Sequence, residues 1–302
     1  MADNQDHNVV DSQKPKTFPL SLALVFIMGL CIINLRDTQP IIPIFGFHGI
    51  TNHKNSNLPS QQEDMDYPQQ DLEKLLNYLI VHDYWFLSTQ DLYDFYLTKS
   101  KEIPATHRYK KPIMLTFDDG YKTISTNLLP LLSKLEKKYK QKVKVVLFIN
   151  PGTLASDKSV ASTHLGCREL REGLQKEFFD IQSHGLNHKN LTEISRPQLV
   201  NELLRARIEL RKCTQDLDPD QRVASHLAYP YGAYNKQVES YVFKYYLSSY
   251  LYNNEILDSS CLTNYYKIPR LMVNRHNSNK ELIKMAENFK LNQKTSKPKI
   301  KC

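Results

Sequence analysis

Along the 302-residue chain, apolar positions follow two alternating rhythms. Compact apolar runs occur in "QPIIPIFGFHGI" (39–50), "PIMLTFD" (112–118), "KVKVVLFI" (142–149), "FFDIQS" (178–183), "ASHLAY" (224–229), "YYLSSYLY" (245–252) and "YKIPRLMV" (266–273). Each reads as a strand, several of them buried on both faces. Between them the spacing turns helical. In "DLEKLLNYLIVHD" (71–83), Leu72, Leu75, Leu76, Leu79 and Ile80 share one face, with Asp71 as cap. Ser88 or Thr89 caps a short helix over 88–98, residues 125–139 read as helix, and Ser195 caps a helix from Arg196 to about Cys213 with Pro197 in its first turn. The stretch 51–70 reads as an exposed loop. Strands alternating with helices of about ten to fifteen residues predict an α/β fold with a parallel sheet or barrel.

The run "FPLSLALVFIMGLCIINL" (18–35) carries no charge, follows Lys14 and Lys16, and precedes Arg36. It is long enough to span a bilayer and lacks a small-x-small cleavage site, so it reads as an uncleaved signal anchor. The chain then divides into a cytoplasmic tail (1–17), a transmembrane anchor (18–35), an extracytoplasmic domain (40–285) and a basic tail (286–302). The net charge of +8 resides mainly in 133–144 and 290–302. No aromatic residues interleave with those lysines, which argues against a nucleic-acid partner. Five cysteines, at 31, 167, 213, 261 and 302, form no CxxC pair; four could bridge in an exported domain, in a pairing the sequence does not reveal.

Polar residues collect where the strands end: His48, Asp118, Asp119, His184 and Tyr231. In barrels and open α/β sheets that edge hosts the chemistry. "SHGLNHKN" sets His184 and His188 four apart, so a helical turn or a tight loop aims both at one point. Two imidazoles and one carboxylate make an open site for a catalytic divalent ion, and a second carboxylate beside it can take a proton from bound water. An isolated Asp-Asp-Gly is commonly a solvated turn and a lone HxxxH a helix face. It is their joint occurrence at strand ends that points to catalysis.

"LTFDDGY" (115–121), "SHGLNH" (183–188) and "AYPYGAYN" (228–235) resemble the first three motifs of the polysaccharide deacetylases, the NodB-homology enzymes of carbohydrate esterase family 4. "GFHGI" (46–50) and "IPRLMV" (268–273) resemble segments of the poly-β-1,6-N-acetylglucosamine deacetylases within that family. The resemblance implies a distorted (β/α)7-type barrel that hydrolyses N-acetyl groups on a GlcNAc-containing polysaccharide. It implies Asp119, His184 and His188 as metal ligands, with zinc first and iron, cobalt or nickel accepted by the same set. Asp118 becomes the base, His48 the acid, Tyr231 a backbone oxyanion donor, and Tyr229 and Tyr231 the substrate walls. A polymer substrate outside the membrane further implies a synthase or export partner.

The chain departs from the family pattern at Gly185, Lys189 and Ala228; the last stands where many members place an Arg that holds the catalytic Asp, and Arg270 is the expected substitute. The alternatives are a peptidoglycan or chitin deacetylase, an O-acetyl esterase, or a non-catalytic membrane-anchored glycan-binding protein on the same scaffold. A phosphatase with Asp118 as nucleophile is disfavoured, because position 120, where a second Asp would be wanted, is Gly.

Overall fold

The computed structural model describes residue 1, residues 40–52, 64–156 and 162–287, and the backbone of 299–301. The expected anchor at 18–35 lies outside these residues, and no helix among those described is long and apolar enough to cross a membrane.

The main sheet holds eight parallel strands: β1 (Ile44–Phe47), β2 (Tyr84–Phe86), β3 (Lys111–Asp119), β4 (Val145–Ile149), β5 (Phe179–Ser183), β6 (His226–Ala228), β7 (Ser248–Tyr250) and β8 (Leu271–Met272). Their order is β7-β6-β5-β4-β3-β1-β8, with β2 lying beside the start of β3. All five residues of β4 are buried, Val145, Leu147 and Ile149 in one core cluster and Val146 and Phe148 in another with Met114 and Tyr250, so the run need not alternate. β1 stops at Phe47, so His48 is the first residue past the strand. Two expected strands are shorter than their apolar runs: Tyr245 ends a helix before β7 begins, and only Leu271–Met272 of 266–273 is regular strand.

Helix α1 (Gln69–Val81) buries Leu72, Leu75, Leu76, Leu79 and Ile80, the stripe its periodicity predicts. Asp71 does not cap it but sits in its first turn; Pro68 supplies the extended residue before the helix. Ser88 does cap its helix, its Oγ accepting from the Asp91 N–H at 3.0 Å. Arg196–Val200, Asn201–Arg205 and Ala206–Thr214 form one helical run that packs Leu199, Leu203, Ala206 and Leu210 inward. A disulfide joins Cys167 to Cys213 with a Cα–Cα distance of 5.5 Å, tying that run to the helix Cys167–Gln175. It stabilises by restricting the unfolded chain.

One segment connects the two edges of the sheet. Ile268 bridges Tyr250 of β7, its N–H reaching the Ser249 carbonyl at 3.0 Å, and three residues later Leu271 pairs with Phe45 of β1. Arg270 lies between these attachments, fully buried. The half-open sheet is thus drawn round into a barrel-like wall, and a guanidinium is set at its seam.

At the opposite end of the strands from His48, the ring of His226 is fully buried, with Nδ1 2.8 Å from Ser248 Oγ and Nε2 without a partner. Burial pushes its pKa down to about 3, against a small opposing pull from Asp94. The unfolded chain therefore binds a proton that the folded chain refuses between pH 6.5 and about 3, so stability falls as pH drops through that window. Between pH 7 and 4.5 this one group should cost about 2–3 kcal/mol. Urea unfolding of His226→Gln at the two pH values should remove about that share of the fall in stability, leaving a comparable share due to His184, whose buried ring is held down to about 4. An unchanged pH slope would remove His226 from the account.

Candidate active site

The site forms at the strand ends, where β3 delivers two carboxylates. Asp118 is fully buried, and both of its oxygens are held by Arg270: Nη1 donates to Oδ1 at 2.7 Å and Nη2 to Oδ2 at 2.9 Å. Nη1 also donates to Thr116 Oγ1 at 3.0 Å, and Nε to the Leu251 carbonyl at 3.4 Å. Burial alone would raise the Asp118 pKa. Arg270 and then His184 overcome that and hold it at about 2, so the carboxylate stays ionised. Arg270 thus makes the contact that Ala228, lacking a side chain to reach, leaves open.

Asp119 turns the other way. Its Oδ1 is buried without a hydrogen-bond partner and lies 3.7 Å from His184 Nε2 and 3.4 Å from His188 Nε2. His184 Nδ1 sits 2.8 Å from the Ala228 carbonyl. A carbonyl can only accept, so Nδ1 carries the hydrogen and Nε2 presents its lone pair. Burial lowers the His184 pKa to about 4, keeping the ring neutral. One atom from each of Asp119, His184 and His188 falls within 4.8 Å of the others. An orphaned carboxylate oxygen facing a lone pair of correct tautomer is a donor set that fits a divalent cation.

The backbone here is strained in a patterned way. Asp119, His188 and Tyr231 all adopt left-handed conformations, at φ 69°, 54° and 58°, which non-glycine residues rarely occupy. The His184–His188 spacing is realised as a tight loop, not a helical turn. Gly185, at φ +76°, supplies a conformation a Ser or Thr would resist. Two buried side chains that sequence reasoning missed hold this loop. Asn150 Nδ2 donates to the carbonyls of His184 and of Gly185 (3.2 Å for the second), and Glu202 accepts from the Asn187 N–H at 2.8 Å and its side-chain amide at 2.9 Å. Glu202 had a legible signal: it is a carboxylate set within the apolar stripe of Leu199, Leu203 and Ala206. Asn150 is an ordinary strand-end Asn in the sequence.

His48 reaches the same chamber from the end of β1. Its Nδ1 is buried without a partner, and burial lowers its pKa against the opposing pull of Asp118 and Asp119. Tyr231 is 68% exposed and sets its ring edge-on to His188, with centroids 4.5 Å apart. Beside them opens a groove of about 530 Å³ lined by His188, Lys189, Asn190, Glu193, Ile194 and Tyr231. Tyr229, expected as a second substrate wall, lies instead in the core. It is fully buried and its hydroxyl is engaged by Ser249 at 2.9 Å, so it offers no surface to a glycan.

The strand ends of a parallel, barrel-like α/β sheet gather a carboxylate pair and two imidazoles that could hold a metal ion, and comparison with known proteins narrows the class. Residues 105–247 match the family model described as polysaccharide deacetylase, the family whose motifs the chain resembles. No curated protein matches the chain in sequence. Among solved structures, a polysaccharide deacetylase from Bacillus cereus superposes with a TM-score of 0.67 at 19% identity, covering 82% of this chain and 69% of its own. The Streptococcus pyogenes deacetylase PplD, solved in complex with acetate, gives 0.66 at 21%, covering 83% and 100%. IcaB from Ammonifex degensii gives 0.62 at 15%, covering 82% and 98%. At these identities the likeness shows the shared fold.

Removing one partner of the Arg270–Asp118 pair leaves the other charge buried and uncompensated. Arg270→Met should therefore lower unfolding stability by about 3–5 kcal/mol, and adding Asp118→Asn should recover most of the loss. Denaturant unfolding of Arg270→Met and of the double variant checks this; an Arg270→Met chain as stable as the parent would contradict it.

Proposed function

We propose that this chain hydrolyses N-acetyl groups from a GlcNAc-containing extracellular polysaccharide, with a β-1,6-linked polymer as the first candidate, releasing acetate. The observation that carries the reading is the divided carboxylate pair: Asp118 locked and ionised by Arg270, Asp119 orphaned toward His184 and His188. The acetate in complex with the S. pyogenes deacetylase is the product expected here, on a common fold.

Asp119, His184 and His188 would hold the divalent ion, zinc by preference. When bound, that ion polarises the acetyl carbonyl and acidifies a water. The chain's own residues do the rest. Each Asp118 oxygen has a second lone pair beyond its bond to Arg270, and Oδ2 lies 3.7 Å from His184 Nε2, so it faces the ligand side of the chamber. Asp118 takes the proton of the attacking water there. His48, within the electrostatic reach of Asp118 and Asp119 and with a ring nitrogen that lacks a partner, gives a proton to the departing sugar nitrogen as the C–N bond breaks. The backbone N–H of Tyr231, turned by its left-handed φ, donates to the oxygen that gains charge. The groove beside His188 and Tyr231 receives the flanking sugars.

The setting we infer is extracytoplasmic, with the 18–35 run as a single membrane anchor. The Cys167–Cys213 disulfide supports an oxidising compartment. A synthase or export complex would supply the polymer.

The test is acetate release by the purified full chain from β-1,6- and β-1,4-linked N-acetylglucosamine oligomers. Release should stop with a chelator, return with zinc, and fall about 10²–10⁴-fold in Asp118→Asn and in His48→Ala. Undiminished release by Asp118→Asn would refute the assigned base. Preference for the β-1,4 oligomers would move the substrate to chitin- or peptidoglycan-like polymers.

A further inference from the structure

Tyr252 lies just past the end of β7, and no motif in the sequence draws attention to it. Its ring contacts both halves of the catalytic arrangement. The Arg270 guanidinium carbon sits 3.9 Å from the ring centroid, a close cation–π contact, and the His48 ring is stacked against it at 5.7 Å with planes 20° apart. Arg270 in turn grips both oxygens of Asp118. The space for this ring is made on β1, two residues before His48: a Cβ at Gly46 would fall 2.6 Å from Tyr252 Cζ and overlap the far end of the ring. Gly46 does not have a left-handed φ, so what it provides is room for the close approach.

We infer that Tyr252 is a positioning residue that fixes His48 and the Arg270–Asp118 pair relative to one another, with Gly46 as the gap that admits its ring. The inference rests on the proposed deacetylase chemistry, in which His48 and Asp118 must act on the same acetamide. Both side chains approach from different strands, β1 and β3, and a shared packing partner sets the spacing that a proton donor and acceptor on one substrate require. The aromatic ring carries this role, since the contacts to Arg270 and His48 are made by its ring.

Two independent variants test it in the full chain, assayed on β-1,6-linked N-acetylglucosamine oligomers with folding checked by unfolding midpoint. Tyr252→Leu removes the ring. Gly46→Ala displaces it without altering His48, Arg270 or Asp118. Each should lower kcat about 10–100-fold while leaving KM within about threefold. Tyr252→Phe, which keeps the ring, should recover at least about tenfold over Tyr252→Leu. The Gly46→Ala/Tyr252→Leu double variant should be no slower than the slower single one, because both act on the same contact. Wild-type kcat in Tyr252→Leu, or additive losses in the double variant, would overturn the inference while leaving the deacetylase reading intact. Equal losses in Tyr252→Phe and Tyr252→Leu would also overturn it, by assigning the effect to the hydroxyl. A parent chain that releases no acetate from any acetylated glycan would overturn the reading beneath it, and the inference with it.

Discussion

The bidentate contact between Arg270 and Asp118 is the constraint from which the rest of the site follows. Both groups are fully buried, a position neither charge could hold alone. The pair is possible because the segment carrying Arg270 is fastened at Ile268 to the edge strand β7 and at Leu271 to β1. Closing the barrel and holding Asp118 are therefore one structural event. Once Asp118 is committed to Arg270, Asp119 is left to meet the imidazoles, and the neighbouring carboxylates no longer compete for one role.

The side of the site where Asp119 meets the imidazoles is built by different means. Asp119 and His188 depend on left-handed backbone turns that the surrounding loops must enforce. Asn150 and Glu202 do so from beneath, tying down carbonyl and amide groups of the His184–His188 loop, while the Ala228 carbonyl fixes the His184 tautomer. The Arg missing at 228 is matched by the side chain of Arg270, while the loop that lacks a β-carbon at 185 is held by these backbone-directed contacts.

Much of this was legible in the sequence. Strand-end placement of His48, Asp118, Asp119 and His184 followed from apolar runs that stop at polar residues, and the helix stripe at 72–80 followed from its period. The compensating role of Arg270 could be anticipated once position 228 was seen to be Ala. What could not be read was long-range. Tyr229 and Tyr231 sit two apart in one motif, yet one faces the core and the other the groove, a difference set by the left-handed turn at Tyr231. Asn150 and Tyr252 act through contacts that span from about eighteen to two hundred positions of chain, and local pattern carries no trace of a partner so far away; for Glu202 the odd placement was legible but its partner Asn187 was not. The Cys167–Cys213 pairing was hidden for the same reason.

The central claim is that Asp119, His184 and His188 together hold one divalent cation. Titration calorimetry of the metal-stripped chain with zinc tests it directly, alongside His188→Ala and Asp119→Ala. The account requires one site per chain, with binding weakened at least about tenfold in each variant. Absence of binding in the parent chain, or affinity unchanged in both variants, would contradict it.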